Sequence, residues 1–193
     1  MGVSDPAEAL VRLKRLDPDA VDRLYRDHAG DVLGWAIRLG GHRLDAEDVA
    51  HQVFEVALAR LPTFRGESTL RTWLYGITRR VVANARRRAT FWSFVSLEGI
   101  LGADPGPDPE DRSQQLRERR LVQQALEELP FKQREVLVLL DLEERPAPEV
   151  AEMLGVPVGT IYSRSHGARR AFASSLERLG LTPESVAYAG GAR

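Results

Sequence analysis

The chain has 193 residues, a formal net charge of −1 and no cysteine, which excludes a disulfide framework, a thiol nucleophile and a cysteine zinc site. Its length suits one large domain or two small ones with modest cores. No apolar run approaches the roughly 20 residues that span a bilayer, and the opening M-G-V-S-D-P-A-E lacks the basic and apolar parts of a signal peptide, so a cytoplasmic protein without membrane insertion is expected.

Apolar periodicity predicts helices near 6–15, 18–39, 45–60, 68–90, 113–128, 132–142, 147–154 and 158–178, and no alternating strand pattern appears. Val136 to Leu140 has the composition of a buried strand, but it lies in a helical neighbourhood begun after Pro130. Between Glu98 and Arg112 stand Gly99, Gly102, Pro105, Gly106, Pro107 and Pro109, a composition that cannot sustain a helix. The expected fold is therefore all-α: two small helical domains joined by a flexible, acidic, Pro/Gly-rich linker. The divisions are an N-terminal helical extension over 1–17, a first domain over 18–95, the linker over 96–112, a second domain over 113–178 and a tail over 179–193.

The near-zero net charge conceals a segregation. Residues 60–90 carry Arg60, Arg65, Arg71, Arg79, Arg80, Arg86, Arg87 and Arg88 against only Glu67, whereas residues 98–128 are rich in Asp and Glu. Separate charge blocks point to separate partners for separate parts of the chain.

In the first domain, Asp45 precedes A-E-D-V-A-H-Q-V-F-E-V-A-L and is placed to cap a helix, with Glu47 and Asp48 at the positive end of its dipole. Val49, Val53, Phe54, Ala57 and Leu61 share the buried face. Asp48, His51, Gln52 and Glu55 form an outer stripe, either a solvated face or a surface that meets another helix. The next run, Phe64 to Arg88, has Gly66 for a turn, Ser68 as N-cap and then a long helix. Its arginines suit phosphates. Trp73 and Tyr75 either pack inside, the commoner outcome in such a helix, or stack on unpaired bases.

In the second domain, Glu149 to Phe172 reads as a helix, a tight turn and a longer helix with a polar side. Val150, Ala151 and Leu154 lie at core spacing, Gly155 supplies a positive φ, and Pro157 opens the next helix. Val158, Ile161, Ala168 and Phe172 are the expected inner face. Gly159 and Thr160 stand at the N-terminal end, and Tyr162, Ser163, His166 and Arg169 lie outside. This is the pattern of a helix-turn-helix, whose second helix reads base edges. The same outline also occurs in helical bundles that never touch nucleic acid.

Catalytic and cofactor motifs are lacking. There is no P-loop, no G-x-S-x-G and no H-E-x-x-H, and His28, His42, His51 and His166 have no ligand partners at metal-site spacing. Asp45, Glu47 and Asp48 are better explained by capping than by metal ligation. No enzyme, cofactor or metal is expected.

Four blocks in order carry a resemblance: L-Y-R-D-H at 24–28, D-A-E-D-V-A-H-Q-V-F at 45–54, F-R-G-E-S-T-L-R-T-W-L-Y-G-I at 64–77, and L-P-F-K-Q-R-E-V-L-V-L at 129–139 leading into V-G-T-I-Y-S-R at 158–164. At these residues the chain resembles the extracytoplasmic-function sigma factors, the promoter-recognition subunits of bacterial RNA polymerase. The resemblance implies that the first domain is sigma region 2 and the second is sigma region 4, and that core RNA polymerase and promoter DNA are partners. It implies that Asp48, Gln52 and Glu55 dock on the polymerase clamp. Arg65, Ser68, Arg71, Trp73, Arg79, Arg80, Arg86 and Arg87 would engage the minus-ten element, where a base is flipped into a pocket. Gly159, Thr160, Tyr162, Ser163, Arg164, His166 and Arg169 would engage the minus-thirty-five element. The acidic linker would follow the polymerase's basic channel.

The chain departs from the family pattern where Arg80 replaces a common Asn, where Gly167 replaces a frequent basic residue, and where Ser165 replaces an apolar one. With Pro146 and Pro148 stiffening the start of the first motif helix, weak or unusual minus-thirty-five recognition is expected. The family also implies an anti-sigma factor. F-W-S-F at 91–94 and the acidic stripe are candidates for its surface, packing of the aromatics against the first domain being the alternative. A helix-turn-helix repressor explains the second domain but leaves the Arg-rich helix and acidic linker without a role. A pure interaction adaptor would tolerate loss of Arg86, Arg87 and Arg88.

Overall fold

The structure is a computed structural model that describes the backbone of residues 6–95 and 114–181, and side chains over 8–89 and 117–181. Among these residues all regular structure is helical, and the chain divides into two units, Met1–Ala89 and Thr90–Arg193. The whole of the expected linker, and the tail beyond residue 181, lie outside the described residues, as do the side chains of Phe91, Trp92 and Phe94.

The first unit contains α1 (Pro6–Lys14), α2 (Pro18–Gly40), α3 (Ala46–Arg60), a 3-10 turn at Leu61–Thr63 and α4 (Leu70–Val95). Asp17 caps α2, accepting from the Ala20 amide at 3.2 Å and from Arg12 Nη2 at 2.8 Å. Pro18 follows as the first helical residue, where its fixed φ costs no amide bond. Gly41, at φ 79°, ends α2, and Asp45 starts α3 by accepting from the amides of Glu47 at 2.9 Å and Asp48 at 3.1 Å. The cap of α4 is Thr69 rather than Ser68: its Oγ1 accepts from the Thr72 amide at 3.1 Å, so the helix begins one residue later than its sequence pattern indicates.

Val32, Trp35 and Leu39 of α2, Val53 and Ala57 of α3, Leu61, and Leu74, Tyr75 and Val82 of α4 are fully buried or nearly so. All five apolar residues expected on the inner face of α3 and its end are buried. Trp35 meets Tyr75 edge-on, with ring centroids 5.2 Å apart. That contact places Tyr75 in the core and away from any base.

The second unit contains α5 (Gln114–Glu128), α6 (Phe131–Leu137), a π-helical continuation at Val138–Leu142, α7 (Ala147–Leu154) and α8 (Val158–Arg178). Val136 to Leu140 is thus helical. The buried Arg134 of α6 donates to the carbonyls of Glu127 at 2.6 Å and Leu129 at 3.3 Å, satisfying acceptors at the end of α5. Gly155, at φ 64°, ends α7, the Val156 amide reaches back to Ala151 at 3.0 Å, and Pro157 precedes α8. Val150, Ala151 and Leu154 pack inward with Ile161, Ser165 and Ala168 of α8. Val158 departs from its expected inner position. As the first residue of α8 it is 40% exposed.

Candidate nucleic-acid interface

Three surfaces gather the residues singled out above. On α3, the inward Val49, Val53, Phe54 and Ala57 leave Asp48, His51, Gln52 and Glu55 exposed together. His51 Nε2 lies 3.4 Å from Glu55 Oε1. Tyr25 of α2 extends this region: its ring rests on Phe54 at 4.6 Å and remains 54% exposed. Helical periodicity did not single out Tyr25, because its partner lies on the next helix.

The turn into α4 presents Arg65, whose Nη1 is 3.7 Å from Glu67. Phe64 is buried and backs the half-buried Trp73, with centroids 4.9 Å apart. Trp73, Gly76, Arg80, Asn84 and Arg87 then recur at helical spacing, forming one ridge. Arg80, Arg87 and Arg88 are exposed, and Arg87 donates to the Asn84 side chain. Arg79 is half-buried on a neighbouring face, and Ser68 is half-buried in the turn.

Two arginines of the expected phosphate-facing set are engaged inside the unit. Arg71 donates from Nε and Nη2 to the carboxylate of Asp31 at 2.6 and 3.0 Å, and its guanidinium lies 5.2 Å above the Trp35 ring. The hydrogen bond from Arg71 holds the Asp31 carboxyl below its usual pKa, against the opposing effect of partial burial. Arg86 donates from Nη1 to the carbonyls of Leu39 at 3.3 Å and Gly40 at 3.1 Å. A cation at those carbonyls complements the negative end of α2. Both arginines find these partners on α2, more than 35 residues upstream, where no local pattern reveals them.

On α8, Gly159, Tyr162, Ser163, His166 and Arg169 are exposed, while Thr160 and Arg164 are half-buried. Ser163 Oγ donates to the Thr160 carbonyl at 3.1 Å. Arg170 is also exposed and shares a face with Ser163 and His166, a cation that the helical spacing of this face contains but the expected set does not. Arg169 is held by Asp141, with Nη2 to Oδ1 at 2.5 Å and Nε within 3.2 Å of both oxygens. At Gly167 a Cβ would lie 3.2 Å from Gln133 Nε2, the end of a flexible α6 side chain that would have to give by a few tenths of an ångström.

Among the described residues no helix is long and apolar enough to cross a membrane, and no group of three or more His, Asp or Glu could hold a metal ion. The surfaces offer cations, aromatic planes and hydrogen-bonding groups, which is the chemistry of phosphate contact and base readout.

Two family models match the chain: Sigma-70 region 2 over residues 24–91 and Sigma-70, region 4 over residues 119–172. RNA polymerase sigma factor YlaC of Bacillus subtilis is 31% identical over 154 residues, covering 78% of this chain and 88% of the relative. ECF RNA polymerase sigma factor SigL of Mycobacterium tuberculosis is 30% identical over 161 residues, covering 82% and 90%. The fold is shared with CnrH, solved in complex with the cytosolic domain of CnrY, at a TM-score of 0.63 and 22% identity over 88% of this chain and 96% of that one. It is shared also with RpoE of Bartonella quintana, solved with the anti-sigma factor NepR, at 0.62 and 23% over 81% and 96%. With both regions matched and relatives of this identity spanning most of its length, the chain belongs to the extracytoplasmic-function sigma factors, which direct promoter-specific initiation by bacterial RNA polymerase.

Proposed function

We propose that this sigma factor divides its work among the three surfaces just described. Asp48, Gln52 and Glu55 dock on the core polymerase, with Tyr25 and Phe54 as the apolar margin of the contact. The α3–α4 turn and the α4 ridge, through Arg65, Ser68, Trp73, Arg79, Arg80 and Arg87, engage the opened minus-ten strand. Flipping a base costs about a few kcal/mol, which stacking on an aromatic side chain and polar contacts offset. Helix α8, through Gly159, Thr160, Tyr162, Ser163, Arg164, His166, Arg169 and Arg170, lies in the major groove of the minus-thirty-five element.

The observation that best supports this division is the sorting of the α4 arginines. Arg71 and Arg86 stabilise the unit from within, while Trp73, Arg80 and Arg87 share one outer ridge. The residues 96–112 follow the polymerase channel, with carboxylates taking the place of phosphates. The protein works in the cytoplasm as a binding factor, the bond-forming chemistry being that of the polymerase. CnrH and RpoE were solved with partner proteins, and an anti-sigma factor covering the acidic stripe of α3 is the corresponding partner here.

The docking assignment is tested by titrating labelled protein with purified core polymerase. Gln52→Lys and Glu55→Lys are expected to weaken binding at least tenfold without lowering Tm, since both side chains are exposed and neither lies in the first turn of α3. Wild-type affinity in both variants would remove α3 from the interface.

A further inference from the structure

The turn that carries Asp141 is unusual in its backbone. Val138–Leu142 is π-helical, with the Glu143 amide bonding the Val138 carbonyl at 3.0 Å, five residues back. The widened turn sets Asp141 against α8, where its two oxygens take Nε and Nη2 of Arg169. π turns of this kind often mark functional positions. Stability alone gives little reason for the pair. The Arg169 side chain is 61% exposed and that of Asp141 29%, so even this two-pronged pair adds at most about 1 kcal/mol to folding.

The pairing changes what Arg169 can do. Free, an arginine on a recognition helix attracts any phosphate within a Debye length. Bound along its Nε and Nη2 edge, it loses most of that long-range pull and one favoured docking edge. The N–H groups at the tip, on Nη1 and the far side of Nη2, remain directed away from the carboxylate. That end suits two neighbouring acceptors such as guanine O6 and N7.

Resting on the assignment of α8 to the major groove, we propose that Asp141 is a positioning residue for promoter readout. It neutralises Arg169 toward arbitrary phosphates and fixes its guanidinium for one guanine edge. Asp141 touches no base in this role and acts through Arg169. It also makes the second unit selective without adding positive charge, in keeping with a recognition helix that carries Gly167 where a further cation would be usual for the family.

The test uses the full chain bound to core polymerase, with a fully randomised duplex library as probe and enriched sequences read out after selection. Wild type is expected to enrich guanine at one minus-thirty-five position, and Arg169→Ala to abolish that preference. Asp141→Ala is expected to reduce the preference roughly tenfold and to steepen the dependence of log affinity for random duplex on log salt by about 0.9, one more phosphate contact. Asp141→Asn removes the charge at constant shape and is expected to steepen the salt dependence equally, whereas Asp141→Glu restores both readouts toward wild type. If Arg169→Ala loses the preference while Asp141→Ala and Asp141→Asn keep wild-type preference and slope, the positioning role is overturned and the groove assignment survives. If Arg169→Ala changes nothing, the groove assignment of Arg169 falls and the proposal falls with it.

Discussion

Arg71 and Asp31 stand 40 residues apart in the chain and meet in a two-pronged ion pair, roofed on one side by Trp35. The arginine belongs to the most basic stretch of the protein, yet its guanidinium joins the start of α4 to α2. Asp31→Asn and Arg71→Ala should therefore lower the Tm of the first unit. A charge-assisted pair, discounted for partial exposure, contributes about 1–2 kcal/mol.

The same pair sets a pH dependence with a definite sign. Asp31 has a folded pKa below its unfolded value near 3.9. Its stabilisation is then complete above that value and is lost as pH falls through the lower folded one. The Tm difference between wild type and Asp31→Asn should be level from neutral pH down to about 5 and shrink toward zero in stronger acid. A difference that persisted unchanged in acid would show that the carboxylate charge is not what holds α4 to α2.

Arg86 and Arg87 are adjacent and should behave oppositely. Arg86→Ala removes the donor to the Leu39 and Gly40 carbonyls and is expected to cost roughly 1–2 kcal/mol, or about 5–10 °C in the melting of the first unit. Arg87→Ala should leave Tm within about 2–3 °C, an effect below about 0.5 kcal/mol, and reduce the salt slope of holoenzyme binding to DNA by about 0.7–0.9. Thermal melts beside salt titrations separate the two.

Two glycines inside helices provide a graded comparison. At Gly76 a Cβ would meet open space, so Gly76→Ala should raise stability by about 0.5–1 kcal/mol through helix propensity. At Gly167 the Cβ would press the tip of Gln133 at 3.2 Å, a flexible side chain that can yield, so Gly167→Ala should gain less. Denaturant titrations should rank the variants Gly76→Ala, Gly167→Ala, wild type. Gly167→Ala falling below wild type would mean that Gln133 cannot move.

Local chemistry was readily legible in the sequence. Asp45 caps α3, Gly155 takes its positive φ, and the apolar faces of α3 and α7 are buried, because each depends on residues within a turn or two. Thr69 displaced Ser68 as a cap because both are adjacent and equally suited, and only the backbone path decides between them. The long-range roles were not legible. Arg71, Arg86, Arg134 and Arg169 bind groups on other helices or in neighbouring turns, and an arginine's reach and five donors make it equally fit for phosphate, carboxylate or helix end. The π turn at Val138–Leu142 also left no mark in the apolar run that forms it. Arginine density thus located the basic helix but not which of its members face outward.

The outward ridge of α4 together with α8 is proposed to confer promoter selection on core polymerase. The most direct measurement is transcription by purified core enzyme on a genomic fragment library, with start sites sequenced, using wild type, the double variant Arg80→Ala/Arg87→Ala, and no added protein. Wild type should produce a set of start sites sharing two upstream elements, and the double variant should lose most of that initiation while still binding core enzyme. Start sites identical with and without the protein, or a double variant as active as wild type, would contradict it.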